Sequence, residues 1–357
     1  MFAPVRYIAW ATRFYGQVPF DLATSGIPYA AWSDLGVPEP EPGDLGAYVR
    51  FREALAVYND VSAAEVVPSL GTSHAIFLAY AALLSPGDEV LLEHPGYEPL
   101  TCTAEGLGAI VRTYDRRRED GFALSPERVA AAVTPRTRVI VVTNLHNPSG
   151  VRVPDATLRE LAAIAEARGA YLLVDEVYAP FDDLPEDGVF RASSRKLAPN
   201  VVAVSSLTKC YGLGMHRIGW LLGPPEIVER AQAALVATAG HLPLSHAARG
   251  ELATKNIGVL ARRAKAILAG KRVLATEWAA TLPNATWSAP TSGLFGLVTL
   301  DGAGNLLPRI ESWARDHGVL VGAGSFFGVD NGFRLSWASL PKPRFEEALG
   351  KLAALLR

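Results

Sequence analysis

Short apolar runs alternate with stretches of helical periodicity between residues 65 and 250. Residues 139–142 and 201–204 are continuous apolar runs rich in valine, which is typical of strands buried on both faces. Residues 158–166 carry apolar side chains at helical spacing. This alternation predicts an α/β fold with a mostly parallel sheet and helices on both faces.

The pattern changes near residue 255. A stretch rich in Ala, Leu, Arg and Lys predicts one long helix over 259–278, and alternating residues predict a strand near 293–300. A further helix, a strand around Arg334 and a final helix over 345–356 follow. Helices combined with antiparallel strands indicate a smaller α+β domain.

The two patterns divide the chain into three parts. We predict a large α/β domain over 31–254 and a smaller C-terminal α+β domain over 255–357. Residues 1–30 are predicted to be an N-terminal segment that joins the smaller domain.

Composition limits the possible functions. The chain has 357 residues, of which 49% are hydrophobic and 20% charged, as in a globular protein with a large core. A formal net charge of −2 argues against nucleic-acid binding, and the isolated basic run 116–118 predicts a solvated turn. The seven histidines show no metal-ligand spacing, so we predict no metal site.

The location follows from two further features. Cys102 and Cys210 are too few and too far apart for a disulfide framework. No apolar stretch reaches membrane-spanning length, and the first residues lack the pattern of a secretory signal. We therefore predict a cytoplasmic protein with no membrane partner.

A lysine in an unusual position is the first candidate for chemistry. Lys209 follows the apolar run 201–204, with Ser206 before it and Arg217 eight residues after it. A buried amine is costly unless chemistry uses it. The three side chains can hold an anionic cofactor, with hydroxyl and guanidinium on a phosphate and the amine on an aldehyde. The alternative is a solvated loop after a strand.

Two other polar residues follow predicted strands. Asn147 comes after the strand 139–143, where open α/β sheets place ligands, although Asn-Pro-Ser-Gly is also a turn sequence. Asp175 ends another apolar strand, and a buried carboxylate there needs a cation or acts as a helix N-cap. Glu176 is predicted to be a solvated or interface charge.

Two more features complete the set. Gly71, Thr72 and Ser73 open an apolar helix, which makes an anion site or an ordinary capped helix. Arg334 is the single charge of an alternating strand, so its guanidinium either binds a carboxylate or faces water.

Taken in chain order, these segments resemble the fold-type I pyridoxal-phosphate (PLP) enzymes, in particular the class I/II aminotransferase family. The resemblance implies that Lys209 holds PLP as a Schiff base and later acts as the general base. It implies that Asp175 keeps the pyridine nitrogen protonated, so that the ring withdraws electrons. Asn147 and Tyr178 would bind the phenolic oxygen, and Tyr97 would stack on the ring.

The remaining roles are also carried over from the family. The resemblance assigns the phosphate to Gly71, Thr72, Ser73, Ser206 and Arg217. It assigns the substrate α-carboxylate to Arg334, with Asn147 beside it. Without the resemblance, Tyr97 could equally be a tyrosine packed in the core, and Tyr178 an amphipathic residue at the rim of the site.

The family implies a PLP-dependent aminotransferase that moves an amino group from an α-amino acid to an α-keto acid. The alternative on the same scaffold is a lyase, decarboxylase or oxidase of an amino acid, because the cofactor residues are the same. A regulatory module that binds PLP without turnover is disfavoured, because few residues precede the cofactor domain.

The resemblance also implies a homodimer with a shared active site. In relatives, a tyrosine from the neighbouring subunit reaches the phosphate. That position falls near Leu45 in this chain, and Tyr48 is the candidate substitute in a shifted register.

Overall fold

The computed structural model describes residues 1–356, which form two β-sheets covered by α-helices. The strands are β1 (Phe20–Leu22), β2 (Val66–Leu70), β3 (Glu89–His94), β4 (Ile110–Asp115), β5 (Thr137–Thr143), β6 (Tyr171–Asp175), β7 (Val201–Ser206), β8 (Ile218–Leu222), β9 (Ala285–Trp287), β10 (Phe295–Leu300), β11 (Val319–Ala323) and β12 (Gly332–Ser336). The helices are α1 (Arg6–Ala11), α2 (Ala47–Asn59), α3 (Thr72–Leu83), α4 (Glu98–Gly106), α5 (Pro126–Ala132), α6 (Asp155–Glu166), α7 (Thr208–Tyr211), α8 (Pro225–Ala239), α9 (Leu244–Lys255), α10 (Ile257–Leu268), α11 (Lys271–Ala280), α12 (Leu307–His317) and α13 (Lys342–Leu356).

The larger sheet has seven strands in the order β2-β8-β7-β6-β5-β3-β4. Strands β7, β6, β5, β3 and β4 are parallel, and β8 runs antiparallel to both β7 and β2. Strand β5 shows why its sequence is apolar throughout. Val139 and Val141 pack among residues of α3 and α8, while Ile140 and Val142 pack among residues of α6 on the other face. The predicted fold class is confirmed.

The smaller sheet has five strands in the order β1-β11-β12-β10-β9. Strand β1 pairs in parallel with β11, through Phe20 opposite Val319, whereas the other pairs are antiparallel. The N-terminal segment therefore contributes a strand to the sheet formed by the C-terminal residues. The division into 1–30, 31–254 and 255–357 stays a prediction.

The single helix predicted over 259–278 is wrong. Two helices, α10 and α11, meet at Gly270, whose φ of 72° is left-handed. A residue without a Cβ adopts that conformation at little cost, so the chain turns there instead of continuing the helix.

Two predictions of solvated charges are also wrong. Arg116 is 2% exposed, and its guanidinium donates to Glu93 (2.9 Å) and to the carbonyl of Phe122 (2.8 Å). Glu176 is fully buried and accepts hydrogen bonds from the Ser193 hydroxyl and the Ser194 N–H, both at 2.8 Å. Burial of such side chains is tolerated when they are paired with an opposite charge, as Arg116 is, or hydrogen-bonded, as Glu176 is.

Within residues 1–356, every helix is too short or too polar to cross a lipid bilayer. In the same part of the chain, His, Cys, Asp and Glu side chains form no cluster that could bind a metal ion.

Candidate active site

Parallel strands β5, β6 and β7 are neighbours, so their carboxyl ends lie at one edge of the larger sheet. Thr143 pairs with Asp175, and Asp175 pairs with Val204, two residues before Ser206. A cavity of about 230 Å³ opens at this edge. Nine of the predicted site residues line it: Thr72, Ser73, Tyr97, Asn147, Asp175, Tyr178, Ser206, Lys209 and Arg217.

Lys209 lies on the short helix α7, directly after β7. Its Nζ is 3.4 Å from the Ser25 hydroxyl. Loss of solvation, followed by the positive charges of Arg334 and Arg217, lowers the pKa of the Lys209 amine from 10.5 to about 8, against the opposing effect of Asp175. A neutral amine is therefore accessible near physiological pH, as a nucleophile or general base requires.

Asp175 ends β6 and is 3% exposed. Its Oδ1 accepts a hydrogen bond from the Val177 N–H at 3.1 Å. Burial, aided by the nearby Glu93 and Glu176, raises the pKa of Asp175 from 3.8 to about 7, against the opposing effects of the Val177 N–H and Lys209. A cation in the cavity, such as a protonated pyridine nitrogen, would compensate the charge of this carboxylate.

This raised pKa predicts how stability depends on pH. In the cofactor-free protein, the folded state binds more protons than the unfolded state between about pH 4 and 7, so stability is lost as the pH rises through that window. The free energy of unfolding should fall less with rising pH in D175N than in the wild type, by on the order of a few kcal/mol over this window. Urea unfolding at pH 5, 6, 7 and 8 measures it.

The exposed Asp330 provides the matched control. D330N should leave the slope of unfolding free energy against pH unchanged. An equal slope in D175N and the wild type would contradict the prediction. Lys209 does not interfere, because its lowered pKa acts only between about pH 8 and 10.5, where it makes stability rise with pH.

A cluster of hydroxyls and one guanidinium lies where β2 and β7 lead into helices α3 and α7. The Thr72 hydroxyl donates to Ser206 Oγ at 2.8 Å, and Ser206 Oγ also accepts the Thr208 N–H at 3.3 Å. The buried Thr208 hydroxyl makes no hydrogen bond within residues 1–356. With the N-terminus of α3 and Arg217, these groups offer unused donors to an anion, so a phosphate fits here.

Gly71 is needed in this cluster. Its φ is +80°, and a Cβ would lie 2.6 Å from Arg217 Nη2. We expect G71A to destabilise the protein by about 1–3 kcal/mol and to weaken cofactor binding about tenfold or more, because it displaces the guanidinium. Thermal unfolding and fluorescence titration with PLP measure the two effects.

Gly304 offers the control for this substitution. It is exposed, its φ is not left-handed, and a Cβ there would have no neighbour within 4 Å. G304A should change stability by less than about 0.5 kcal/mol. Equal cofactor affinity in G71A and the wild type would show that Arg217 does not need this close approach.

Arg334 lies on β12 and is fully buried, so it does not face water. Its Nη1 donates to Asn147 Oδ1 at 2.8 Å, and its Nη2 donates to the Tyr7 hydroxyl at 2.7 Å and the Ala23 carbonyl at 2.9 Å. Its Nε is buried without a partner in the described part of the chain. Three rings, those of Tyr7, Phe295 and Phe327, lie within 5.3 Å of the guanidinium carbon.

Asn147 and Tyr178 are also fixed by hydrogen bonds. The Asn147 N–H donates to the Thr143 hydroxyl at 3.0 Å, so the turn after β5 is tied to the end of that strand. The Tyr178 hydroxyl donates to Ser25 Oγ at 2.9 Å, and its ring meets Phe295 edge-on at 4.8 Å. Asn147 thereby connects the cavity to Arg334.

The sequence predictions missed several residues at this site. Tyr7 and Ile8 reach it from α1, Ser25 from the connection after β1, and Thr208 from the lysine segment. The Tyr48 hydroxyl donates to Gln232 of the same chain at 2.8 Å. Its contact with a neighbouring phosphate stays a prediction.

This two-sheet α/β fold, with a lysine and an aspartate on one cavity, is that of the PLP-dependent enzymes of fold type I. Residues 42–352 match the family model "Aminotransferase class I and II", and the chain belongs to that family. PLP is therefore its cofactor, and it is a PLP-dependent transaminase. The predicted family, cofactor and enzyme class are confirmed.

Individual relatives and solved structures are similar to this chain over much of its length. The chain is 32% identical to arginine–pyruvate transaminase of Pseudomonas aeruginosa, over 75% of this chain and 68% of the relative. It is 29% identical to capreomycidine synthase of Streptomyces vinaceus, over 96% and 91%. The crystal structure of a PLP-dependent aminotransferase from Streptococcus suis has the same fold, with a TM-score of 0.88, 23% identity and coverage of 100% and 98%.

Proposed function

We propose that Lys209, Asp175 and Tyr178 are the catalytic residues of amino-group transfer from an α-amino acid to an α-keto acid. The observation that carries this proposal is the amine of Lys209 beside Asp175 in one cavity, with the guanidinium of Arg334 linked to that cavity through Asn147. PLP, when bound, supplies the electron sink that stabilises negative charge at the substrate Cα.

The side chains have distinct roles in this proposal. Lys209 Nζ holds the cofactor covalently and, once freed, removes the proton from the substrate Cα. Its lowered pKa supports this role, because about half of the amine is neutral near pH 8. Arg334 binds the α-carboxylate through its guanidinium fork and so orients the Cα–H bond. Asp175 holds a positive charge at the bottom of the cavity.

The other predicted residues hold the cofactor. We assign the phosphate to Gly71, Thr72, Ser73, Ser206 and Arg217, and we add Thr208 because its buried hydroxyl has no partner among the described residues. Tyr97 lines the same cavity and provides an aromatic face for the pyridine ring. Asn147 and Tyr178 provide hydrogen bonds to the phenolic oxygen.

A second candidate is a reaction at the same substrate carbon without net amino transfer, as in a lyase, decarboxylase or oxidase. The observation in its favour is that a relative matched over 96% of this chain, capreomycidine synthase, is named as a synthase and not as a transaminase. The cofactor residues do not distinguish these reactions.

Absorbance of the purified protein with single amino acids tests the proposal. Arginine belongs in the panel with pyruvate as acceptor, because these two substrates are in the name of a relative. Conversion of the visible cofactor band to a near-ultraviolet band, reversed by the matching keto acid, supports amino transfer. Release of ammonia, carbon dioxide or peroxide with an unchanged band favours the second candidate. A protein that binds no PLP overturns both.

We also propose a homodimer whose second subunit covers the phosphate site. Three apolar side chains are exposed: Leu45 by 89%, Met215 by 79% and Val49 by 55%. Met215 lies two residues before Arg217, so a subunit packed on this surface would contact the phosphate cluster. Light scattering measures the mass of the purified protein and so tests whether it is a dimer.

The free cysteines Cys102 and Cys210 support a cytoplasmic location, which stays a prediction.

A further inference from the structure

The hydroxyl of Ser25 lies between two of the proposed catalytic groups. Ser25 Oγ accepts a hydrogen bond from the Tyr178 hydroxyl at 2.9 Å and one from Lys209 Nζ at 3.4 Å. Ser25 is 8% exposed. The three polar atoms therefore form a chain in a largely water-free part of the site.

The segment that carries Ser25 is tightly held. Asp21 Oδ1 accepts the N–H groups of Ala23 (2.8 Å) and Thr24 (3.0 Å), and Asp21 Oδ2 accepts the Thr24 hydroxyl (2.6 Å). On the far side of Ser25, the Ile27 N–H donates to the Lys209 carbonyl at 3.1 Å. The backbone around Ser25 is thus fixed at both ends, and its hydroxyl is preorganised against Lys209 and Tyr178.

The hydrogen-bonding capacity of serine determines what this arrangement can do. A hydroxyl has one proton to donate and two lone pairs that accept. In the structure, both lone pairs of Ser25 are used, and the proton of Tyr178 is committed to Ser25. If Ser25 instead donates to Tyr178, it still accepts from Lys209, and the Tyr178 proton becomes free for another acceptor.

We propose that Ser25 is a further catalytic residue, whose hydroxyl donates to the Tyr178 phenol and accepts from the Lys209 amine whenever that amine is not bound to the cofactor. This inference rests on the proposed function of those two residues. When an anionic oxygen accepts a hydrogen bond from Tyr178, all hydrogen bonds of the series donate in one direction: Lys209 to Ser25, Ser25 to Tyr178, and Tyr178 to the anion. Hydrogen bonds aligned in this way strengthen one another. Ser25 thereby couples the amine to the cofactor's phenolic oxygen.

The charges around the chain do not depend on Ser25. Lys209 is faced by Asp175, Arg217 and Arg334. Tyr178 is faced by Arg334, Tyr97 and Asp175. Because serine is uncharged, S25A leaves all of these groups in place. A changed pH midpoint in S25A would then result from the lost hydroxyl and not from a change in the surrounding charges.

The test is the pH dependence of the visible absorbance of the PLP-loaded protein. In this state Lys209 Nζ is bound to the cofactor, so the absorbance reports the Ser25–Tyr178 part of the chain. We expect S25A to raise the pH midpoint by about half to one unit, because Tyr178 then becomes a weaker donor to the anionic oxygen. S25T keeps a hydroxyl and should restore the wild-type midpoint. In a Y178F background, S25A should have little effect, since the group that transmits the donation is absent.

Thr24 supplies the matched control. T24V removes the neighbouring hydroxyl, which bonds to Asp21 and not to the catalytic groups. The N–H groups of Ala23 and Thr24 still donate to Asp21 and hold the segment, so the midpoint should be unchanged. An equal shift in T24V, an unchanged midpoint in S25A, or fully additive effects of S25A and Y178F would each overturn the proposal.

A second readout needs no cofactor. The pH dependence of acylation of Lys209, followed by mass spectrometry, reports the titration of its amine. We expect S25A to lower this midpoint, because the hydroxyl accepts from the ammonium and so favours it. An unchanged midpoint would contradict the Lys209–Ser25 contact. A protein that fails to bind PLP but shows this shift would overturn the proposed function and leave the contact intact.

Discussion

Replacing Lys209 with alanine is expected to lower kcat by roughly four orders of magnitude or more, because one side chain supplies both covalent attachment and proton transfer. Among the described residues, the cavity lining contains a single lysine, so no second amine of the protein can replace Lys209. The measurement is the rate of keto-acid formation from the best donor. Borohydride reduction followed by peptide mass spectrometry should show PLP on Lys209 in the wild type only.

Lys265 is the control lysine, since its side chain is 71% exposed and pairs with Glu186. K265A should keep kcat within about twofold, as surface substitutions usually do. Retention of more than about one hundredth of wild-type activity in K209A would contradict the role given to this amine. K209A should keep its thermal stability, because the amine that it removes is partly desolvated. Thermal unfolding checks that the lost activity is not caused by misfolding.

The part of the site formed by strand ends could be predicted from sequence. Asp175, Ser206 and Asn147 each follow an apolar run, and parallel strands bring their carboxyl ends to one edge of the sheet. Local pattern and topology therefore agree for these residues. The structure adds the distances, such as 2.8 Å between Asn147 and Arg334, that join the two sheets.

The contribution of the first 30 residues could not be predicted in the same way. Tyr7 contacts Arg334 across 327 positions of sequence, and Ser25 contacts Lys209 across 184. These contacts depend on the pairing of β1 with β11, a long-range register that a three-residue strand does not reveal. A Thr-Ser-Gly stretch after a short strand is, in sequence, an ordinary loop.

Buried charges were the other failure of sequence reasoning. Arg116 stands in a run of three arginines with acidic residues nearby, a pattern that is usually solvated. Its burial depends on Glu93, which lies 23 positions away on β3 and accepts from the guanidinium. Burial of a charge is decided by a partner in space, so the composition of the local segment does not reveal it.

Replacing Arg334 with lysine is expected to lower kcat/KM for amino acids by about 10²–10³-fold. A single ammonium cannot reproduce the planar fork that binds a carboxylate through two parallel hydrogen bonds. It also leaves the oxygens of Asn147, Tyr7 and Ala23 without the guanidinium protons they now accept. PLP should still bind, because Arg334 lies outside the phosphate cluster.

The decisive comparison is between an amino acid and the amine formed by its decarboxylation. If Arg334 acts on the carboxylate, R334K should slow the half-reaction of the amino acid but leave that of the amine within about twofold, since the amine has no group for the guanidinium to bind. The exposed Arg344, paired with Glu347, is the control, and R344K should not affect either substrate. Equal losses for both substrates would mean that Arg334 only supports the packing around Phe295 and Phe327.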